Sequence, residues 1–276
     1  ILYDYDASGN LLESRRKAPT GSTEPDIVTT FRYESRYNFI KTLRDPSDNV
    51  TTYYYDYEEK ALGDLNGDGA TNQENGNLVK IGYPAVNNQT PEAKLTYDFY
   101  GQPVTVTDPN SNITKYEYYP DTGYLKKITR GFGSPSESGT EFTYDTVGNV
   151  RTIKDPGGKI TSFEHNSHNS LTKTTAPSPF NYTTLYKYDA NDNLIQIDRE
   201  TGDTANPWQT TSYTYDMLDR LETTKDELNN ITTFGYDANA NRNLITDAES
   251  NSTTFVYDER DLLWKVIDAQ NNITRY

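Results

Sequence analysis

The chain has 276 residues, 24 of them Tyr, with no Cys, one Met and two His, and its 26 basic and 41 acidic residues leave a formal charge of −15. Apolar residues make up only 33%, too few for a thick aliphatic core at this length, so a thin, Tyr-lined architecture is expected. No apolar run approaches the roughly 20 residues that cross a bilayer, which excludes membrane insertion by helices. A pI near 4.6 excludes DNA and RNA, whose phosphate backbone needs a concentrated basic face. Absence of Cys removes disulfides and thiolate metal sites together, and fits a reducing compartment or an exported bacterial protein. The start, Ile1-Leu2-Tyr3-Asp4, carries no basic segment and no apolar stretch, so any signal peptide is expected to lie outside this sequence.

Along the chain the dipeptide Tyr-Asp, or a close variant, recurs at Tyr5, Tyr33, Tyr55, Tyr97, Tyr118, Tyr144, Tyr188, Tyr215, Tyr236 and Tyr257, with His165-Asn166 in the one missing slot. From Tyr97 to Tyr118, Tyr144 to His165, Tyr215 to Tyr236 and Tyr236 to Tyr257 the step is 21, and every other step is longer, as insertions would make it. A second mark falls 11 residues after the Tyr, at Asp108, Asp155, Asp226, Asp247 and Asp268. Such a fixed period is the signature of a repeat architecture.

Each unit reads as two strands and two turns. After Tyr-Asp comes a turn such as Ala7-Ser8-Gly9-Asn10, where Gly and Asn tolerate the positive φ of tight hairpins. A short alternating stretch follows, for example Val104-Thr105-Val106-Thr107, then a turn opened by Asp, then a Thr- and aromatic-rich return such as Asn230-Ile231-Thr232-Thr233-Phe234-Gly235-Tyr236. No helix is expected, since Thr, Asn, Tyr, Gly and Pro are poor in helix interiors. A lone hairpin cannot bury its apolar face, so the spacing predicts one all-β array over 1–276, about eleven units of antiparallel hairpins paired edge to edge into an elongated or spiralling sheet strip. Tyr suits such a strip, covering area with its ring and reaching water or backbone with its hydroxyl.

One insertion looks like a site. The step from Tyr55 to Tyr97 is 42, and residues 58–74 account for the excess within the first turn. They contain Asp64-Leu65-Asn66-Gly67-Asp68-Gly69, which matches the first half of a calcium loop. Asp64, Asn66 and Asp68 would be side-chain ligands, the Ala70 carbonyl the next, and Asn72 a ligand through water. Position twelve is Asn75, with Glu74 one residue early, so the closing carboxylate comes from a shifted Glu74 or from Glu58 or Glu59. The alternative is a polar loop of turn-forming residues. The expected role of Ca²⁺ is to stiffen the hairpin tip.

Other features read as structural. His165 and His168 have zinc-like spacing but lack a third ligand, and the many carboxylates, which could in principle form a glycosidase pair, fall on turn positions. No catalytic constellation is expected. Asn-x-Thr sequons at Asn49, Asn88, Asn112, Asn181, Asn230, Asn251 and Asn272 mostly follow from the repeat itself. Residues 131–139 and 200–208 lengthen two turns, and Trp208 is the best aromatic anchor for a partner, with packing against a neighbouring hairpin as its alternative reading.

The runs at residues 108–118, 142–150 and 187–194, typified by Phe142-Thr143-Tyr144-Asp145-Thr146-Val147-Gly148-Asn149-Val150, resemble the RHS/YD-repeat proteins. The resemblance covers almost the whole chain. It implies a β-strip of the kind that spirals into a hollow shell in toxin complexes and polymorphic bacterial toxins, or forms part of the teneurin ectodomain. The autoproteolytic motif that closes such shells has no match. The expected function is structural, in a shell or surface fibre of a large exported bacterial protein, with the wall of a toxin-encapsulating cocoon or a cell-surface adhesion and carbohydrate-binding module as the alternatives. The partners are neighbouring repeats or copies of the chain, an enclosed toxin domain, or surface glycans, and the location is extracellular or at the cell surface.

Overall fold

The structure, a computed structural model, describes residues 1–58 and 76–276. Among these residues there are 23 strands and no helix, and the pairings are antiparallel between strands consecutive in sequence. Backbone packing divides the chain into two units, Ile1–Glu141 and Phe142–Tyr276. In the first, the meander runs from Leu2–Tyr5 through Leu11–Arg16, Ile27–Tyr33, Ile40–Arg44 and Val50–Tyr55 to Leu125–Arg130, against which residues 138–141 pair. In the second it runs from Val150–Lys154 and Ile160–His165 to Leu263–Ile267 and Ile273–Arg275.

The period of two sorts the side chains onto two faces. One face carries the residue two before the repeat Tyr, aromatic in most units and set mostly opposite an aliphatic residue or Thr: Phe31 faces Leu43, Tyr116 faces Ile128, Tyr186 faces Ile197, Phe234 faces Ile245 and Phe255 faces Val266. Pairs of this kind are worth about 0.2–1 kcal/mol each over Ala-Ala. The opposite face is polar, with Thr105 facing Lys115, Glu164 facing Lys173 and Thr223 facing Thr233.

Burial stays thin. Among the described residues the buried apolar set is Tyr55, Tyr57, Val79, Ala93 and Ile197, and no large side chain is completely enclosed. The chain leaves 18371 Å² accessible, where a compact monomer of 31.4 kDa would leave roughly 12,000 Å². A single layer of sheet has that signature. Stability therefore comes from what joins each hairpin to the next.

Candidate functional site

Both kinds of turn use one device. Asp108 accepts the Asn110 and Asn112 amide N–H groups on Oδ1, at 2.8 Å each, and the Asn112 side-chain amide on Oδ2 at 2.8 Å. The Asp108 N–H donates to the Asn112 carbonyl and Ser111 N–H donates to the Asp108 carbonyl, with Ser111 at φ 66°. That is the three-residue hairpin loop in which a β-turn is followed by one left-handed residue. Asp6 repeats it with Ser8, Gly9 and Asn10, and Asp145 with Val147, Gly148 and Asn149. The device is thus an Asp that accepts the backbone N–H four residues on, most often that of an Asn, and it is shared by the turn after Tyr and the turn half a period later. In the longer turn at Glu34 the longer carboxylate takes over, accepting from Arg36, Tyr37 and Phe39.

The left-handed position also links units. Asn10 and Asn38 exchange side-chain hydrogen bonds at 2.9 and 2.7 Å, Asn149 donates to Asn169, Asn193 to Asp219 and Asn241 to Asp261. Asn38, Asn169, Asp219 and Asp261 are all at φ between 57° and 66°. Asn and Asp tolerate that conformation better than other L-residues, and here their side chains also accept from the preceding turn.

A β-bulge follows every repeat Tyr whose pairing is described. Tyr97 pairs with Pro103 and Thr96 with Thr105, so Val104 is the extra residue, and Tyr236 with Arg242 and Gly235 with Leu244 repeat the pattern. The carbonyl at the bulge is the target of the next unit's Tyr. Tyr33 donates its hydroxyl to the Leu11 carbonyl, Tyr55 to Ile40, Tyr97 to Leu78, Tyr118 to Pro103, Tyr188 to Leu171, Tyr215 to Leu194, Tyr236 to Leu221 and Tyr257 to Arg242, at 2.7 to 3.1 Å. Sequence reasoning foresaw a hydroxyl reaching backbone or water; the bulge that aims it carries no residue signature of its own. Arg220 adds to the coupling, closing its own turn on Asp216 at 2.7 Å and lying 4.5 Å over the Tyr236 ring of the next unit.

These contacts move the titrating groups in opposite directions. The Asn112 side-chain amide, then the backbone donors, hold Asp108 below the ordinary Asp value of 3.8. Burial raises the Tyr97, Tyr118, Tyr188 and Tyr215 phenols, and burial followed by the Glu34 and Glu58 charges pushes Tyr55 up to about 12.

The expected calcium residues Asp64, Asn66, Asp68, Ala70, Asn72, Glu74 and Asn75, with Glu59, lie outside the described residues. Their flanks are described and are joined by backbone bonds to Asp56. Asp56 N–H donates to the Asn77 carbonyl, and Gly76 and Asn77 N–H donate to the Asp56 carboxylate. Glu58 is engaged by Lys41 at 2.7 Å and by the Tyr55 N–H at 3.2 Å. Beside them Tyr55 and Tyr57 stack at 5.9 Å, Tyr37 meets Tyr57 edge-on at 5.2 Å, and the Arg36 guanidinium lies 5.1 Å from the Tyr57 ring centre.

The remaining sequence candidates fall as follows. His168 Nδ1 lies 3.6 Å from the Asp192 carboxylate, and among the described residues no group of three His, Asp or Glu could hold a metal. Five of the seven sequon amides, those of Asn49, Asn112, Asn230, Asn251 and Asn272, close their own turns on Asp Oδ2. Trp208 opens the strand Trp208–Tyr215 and is 41% exposed.

A chain of tandem hairpins, each closing its own turns with Asp and holding a neighbour with Tyr, belongs to the structural β-repeat class. Two family models match within it: Teneurin YD-shell over residues 181–274 and RHS Repeat over residues 144–179. Residues 144–179 and 181–274 thus carry RHS and YD-shell repeat sequence, and the same hairpin unit recurs through the rest of the described residues. No curated protein matches it. Among solved structures, the TcdB2-TccC3-Cdc42 complex is similar at 17% identity and TM-score 0.60, over 96% of this chain and 15% of that one. The Photorhabdus luminescens Tc holotoxin pore is similar at 14% identity and TM-score 0.62, over 96% of this chain and 16% of that one. The likeness is one of fold, and the chain spans about a sixth of those chains' length.

Proposed function

We propose that the chain serves as wall: a stretch of YD-repeat strip in an exported protein, joined edge to edge to further repeats and enclosing a polypeptide cargo, with no catalytic activity of its own. The observation that carries this reading is the Tyr hydroxyl bonded to the preceding unit's bulge carbonyl in eight described units. The polar groups most regular along the chain are thereby committed to holding the strip together. The fold shared with Tc toxin structures and the Teneurin YD-shell match support shell geometry and a location outside the cytoplasm. Electron microscopy of the complete gene product is the test. A hollow shell with these residues in its wall is expected; a filament or separate globules would refute it.

The calcium reading of the insert is also a proposal, resting on its sequence. With Glu58 held by Lys41 and Tyr55, the closing carboxylate falls to Glu74 or Glu59. Calorimetric titration with Ca²⁺ is expected to show one site that disappears in the Asp64→Ala, Asp68→Ala double variant. No heat at millimolar Ca²⁺ would remove it.

A further inference from the structure

The second unit has a cleft of about 250 Å³ beside Trp208. Trp208, Thr210 and Ser212 project from one face of their strand at steps of two. Lys225 stands opposite Ser212 on the next strand, and the turn that follows brings Glu227 and Asn229 to the rim. Asp226, at the same edge, is spent on its own turn, accepting from Leu228, Asn230 and the Asn230 side-chain amide. The Trp208 ring is 41% exposed, while Glu227 and Asn229 are exposed and Lys225 half-buried.

The floor of this cleft is held from the side, by the neighbouring strand Leu194–Glu200. Asp198, 8% exposed, accepts the Thr210 hydroxyl at 2.7 Å and the Gln196 amide at 2.7 and 2.8 Å, with Lys187 at 3.3 Å. Asp198 stands directly opposite Thr210 on the neighbouring strand, so the Thr210 proton points sideways along this face to the carboxylate, and its oxygen is left as an acceptor on a fixed bearing. A buried carboxylate that orients one lining hydroxyl gives the cleft a supporting shell that an accidental groove lacks.

The free groups around it alternate in character. The Trp208 indole N–H and the Lys225 ammonium donate only, the Glu227 carboxylate accepts only, and Ser212 and Asn229 do both. None of these side chains has a hydrogen-bond partner among the described contacts. A flat apolar ring flanked by closely spaced donors and acceptors matches a ligand with one C–H face and a rim of hydroxyls. Lys225 set against Asp226 and Glu227 leaves the edge with an excess of negative charge, so the site disfavours anionic ligands. We propose that the Trp208 cleft binds a neutral hexopyranose residue, its C–H face on the indole and its hydroxyls on Ser212, Lys225, Glu227 and Asn229. This site is independent of the wall function.

The test uses the whole chain with Trp264→Phe, which leaves Trp208 as the single Trp. Indole fluorescence is followed during titration with the methyl glycosides of glucose, galactose, mannose and N-acetylglucosamine, with sorbitol and glucose 6-phosphate as controls. A saturable change with at least one neutral glycoside is expected, weakened about tenfold, roughly the worth of one hydrogen bond to a charged group, by Glu227→Gln, a surface change that leaves the fold intact. Calorimetry on Trp208→Ala is expected to show no binding. The proposal is overturned if no neutral glycoside alters the emission, if only the phosphorylated sugar does, if sorbitol gives the same response, or if Glu227→Gln binds as tightly as the parent.

Discussion

Tyr97→Ala is expected to lower stability by on the order of 3 kcal/mol, the low end of the range for removing a large ring from a packed site, and Tyr97→Phe by about 1–3 kcal/mol. The two variants separate two contributions. Alanine removes the half-buried ring together with the hydroxyl, whereas phenylalanine keeps the ring and leaves the Leu78 carbonyl without the donor now 2.7 Å away. That carbonyl sits at the bulge opposite Tyr55, next to Val79, which is only 2% exposed, so water reaches it poorly and its desolvation is not recovered. Urea denaturation followed by far-ultraviolet circular dichroism measures both. Equal stability of Tyr97→Phe and the parent would show that the hydroxyl contributes nothing.

The second large effect is on pH. Asp45, Asp108, Asp226, Asp247 and Asp268 are each held below 3.8, first by the side-chain amide of the Asn four residues on. The folded chain thus binds protons at these sites less readily than the unfolded chain. The stability they contribute is complete above 3.8 and is lost as pH falls through their folded values. The Tyr phenols act in the opposite sense. With Tyr55 at about 12 against an ordinary 10.0, the folded chain holds this proton more tightly, and its contribution is lost as pH rises from 10 through 12. A stability plateau between about pH 4 and pH 10 with a fall on both sides is expected, read from denaturant midpoints across the range. Asp108→Asn is expected to be less stable at pH 7 and to flatten the acid limb. A midpoint unchanged from pH 6 down to pH 2 would contradict the clamp.

Much of this fold is legible in the residues because strand and turn chemistry coincide with the period. Val104-Thr105-Val106-Thr107 alternates, and it is a strand; Ser8-Gly9-Asn10 follows Asp6, and it is a turn. The identity of the two turns is legible too, in the spacing of Asp108 to Asn112 against Asp6 to Asn10. The bulge was not legible. It depends on a one-residue difference in pairing, and the extra residue varies freely, being Val79, Val104, Glu222 or Trp264 in different units. Nor was the Trp208 cleft. Trp208 stands out by type, yet its neighbours Lys225 and Glu227 come from the next hairpin, and Asp198 from the one before reads in sequence as one more surface acid.

The account rests on each hairpin being held by the hydroxyl of the next, and hydrogen exchange of Tyr236→Phe measures that directly. Tyr236 donates to the Leu221 carbonyl at 2.9 Å, so the predicted result is faster exchange in the preceding turn, at the Asp216 and Asp219 amides that close it. The turn at Asp237 should change less. Exchange accelerated only around residue 236, with the Asp216 turn as protected as in the parent, would contradict it.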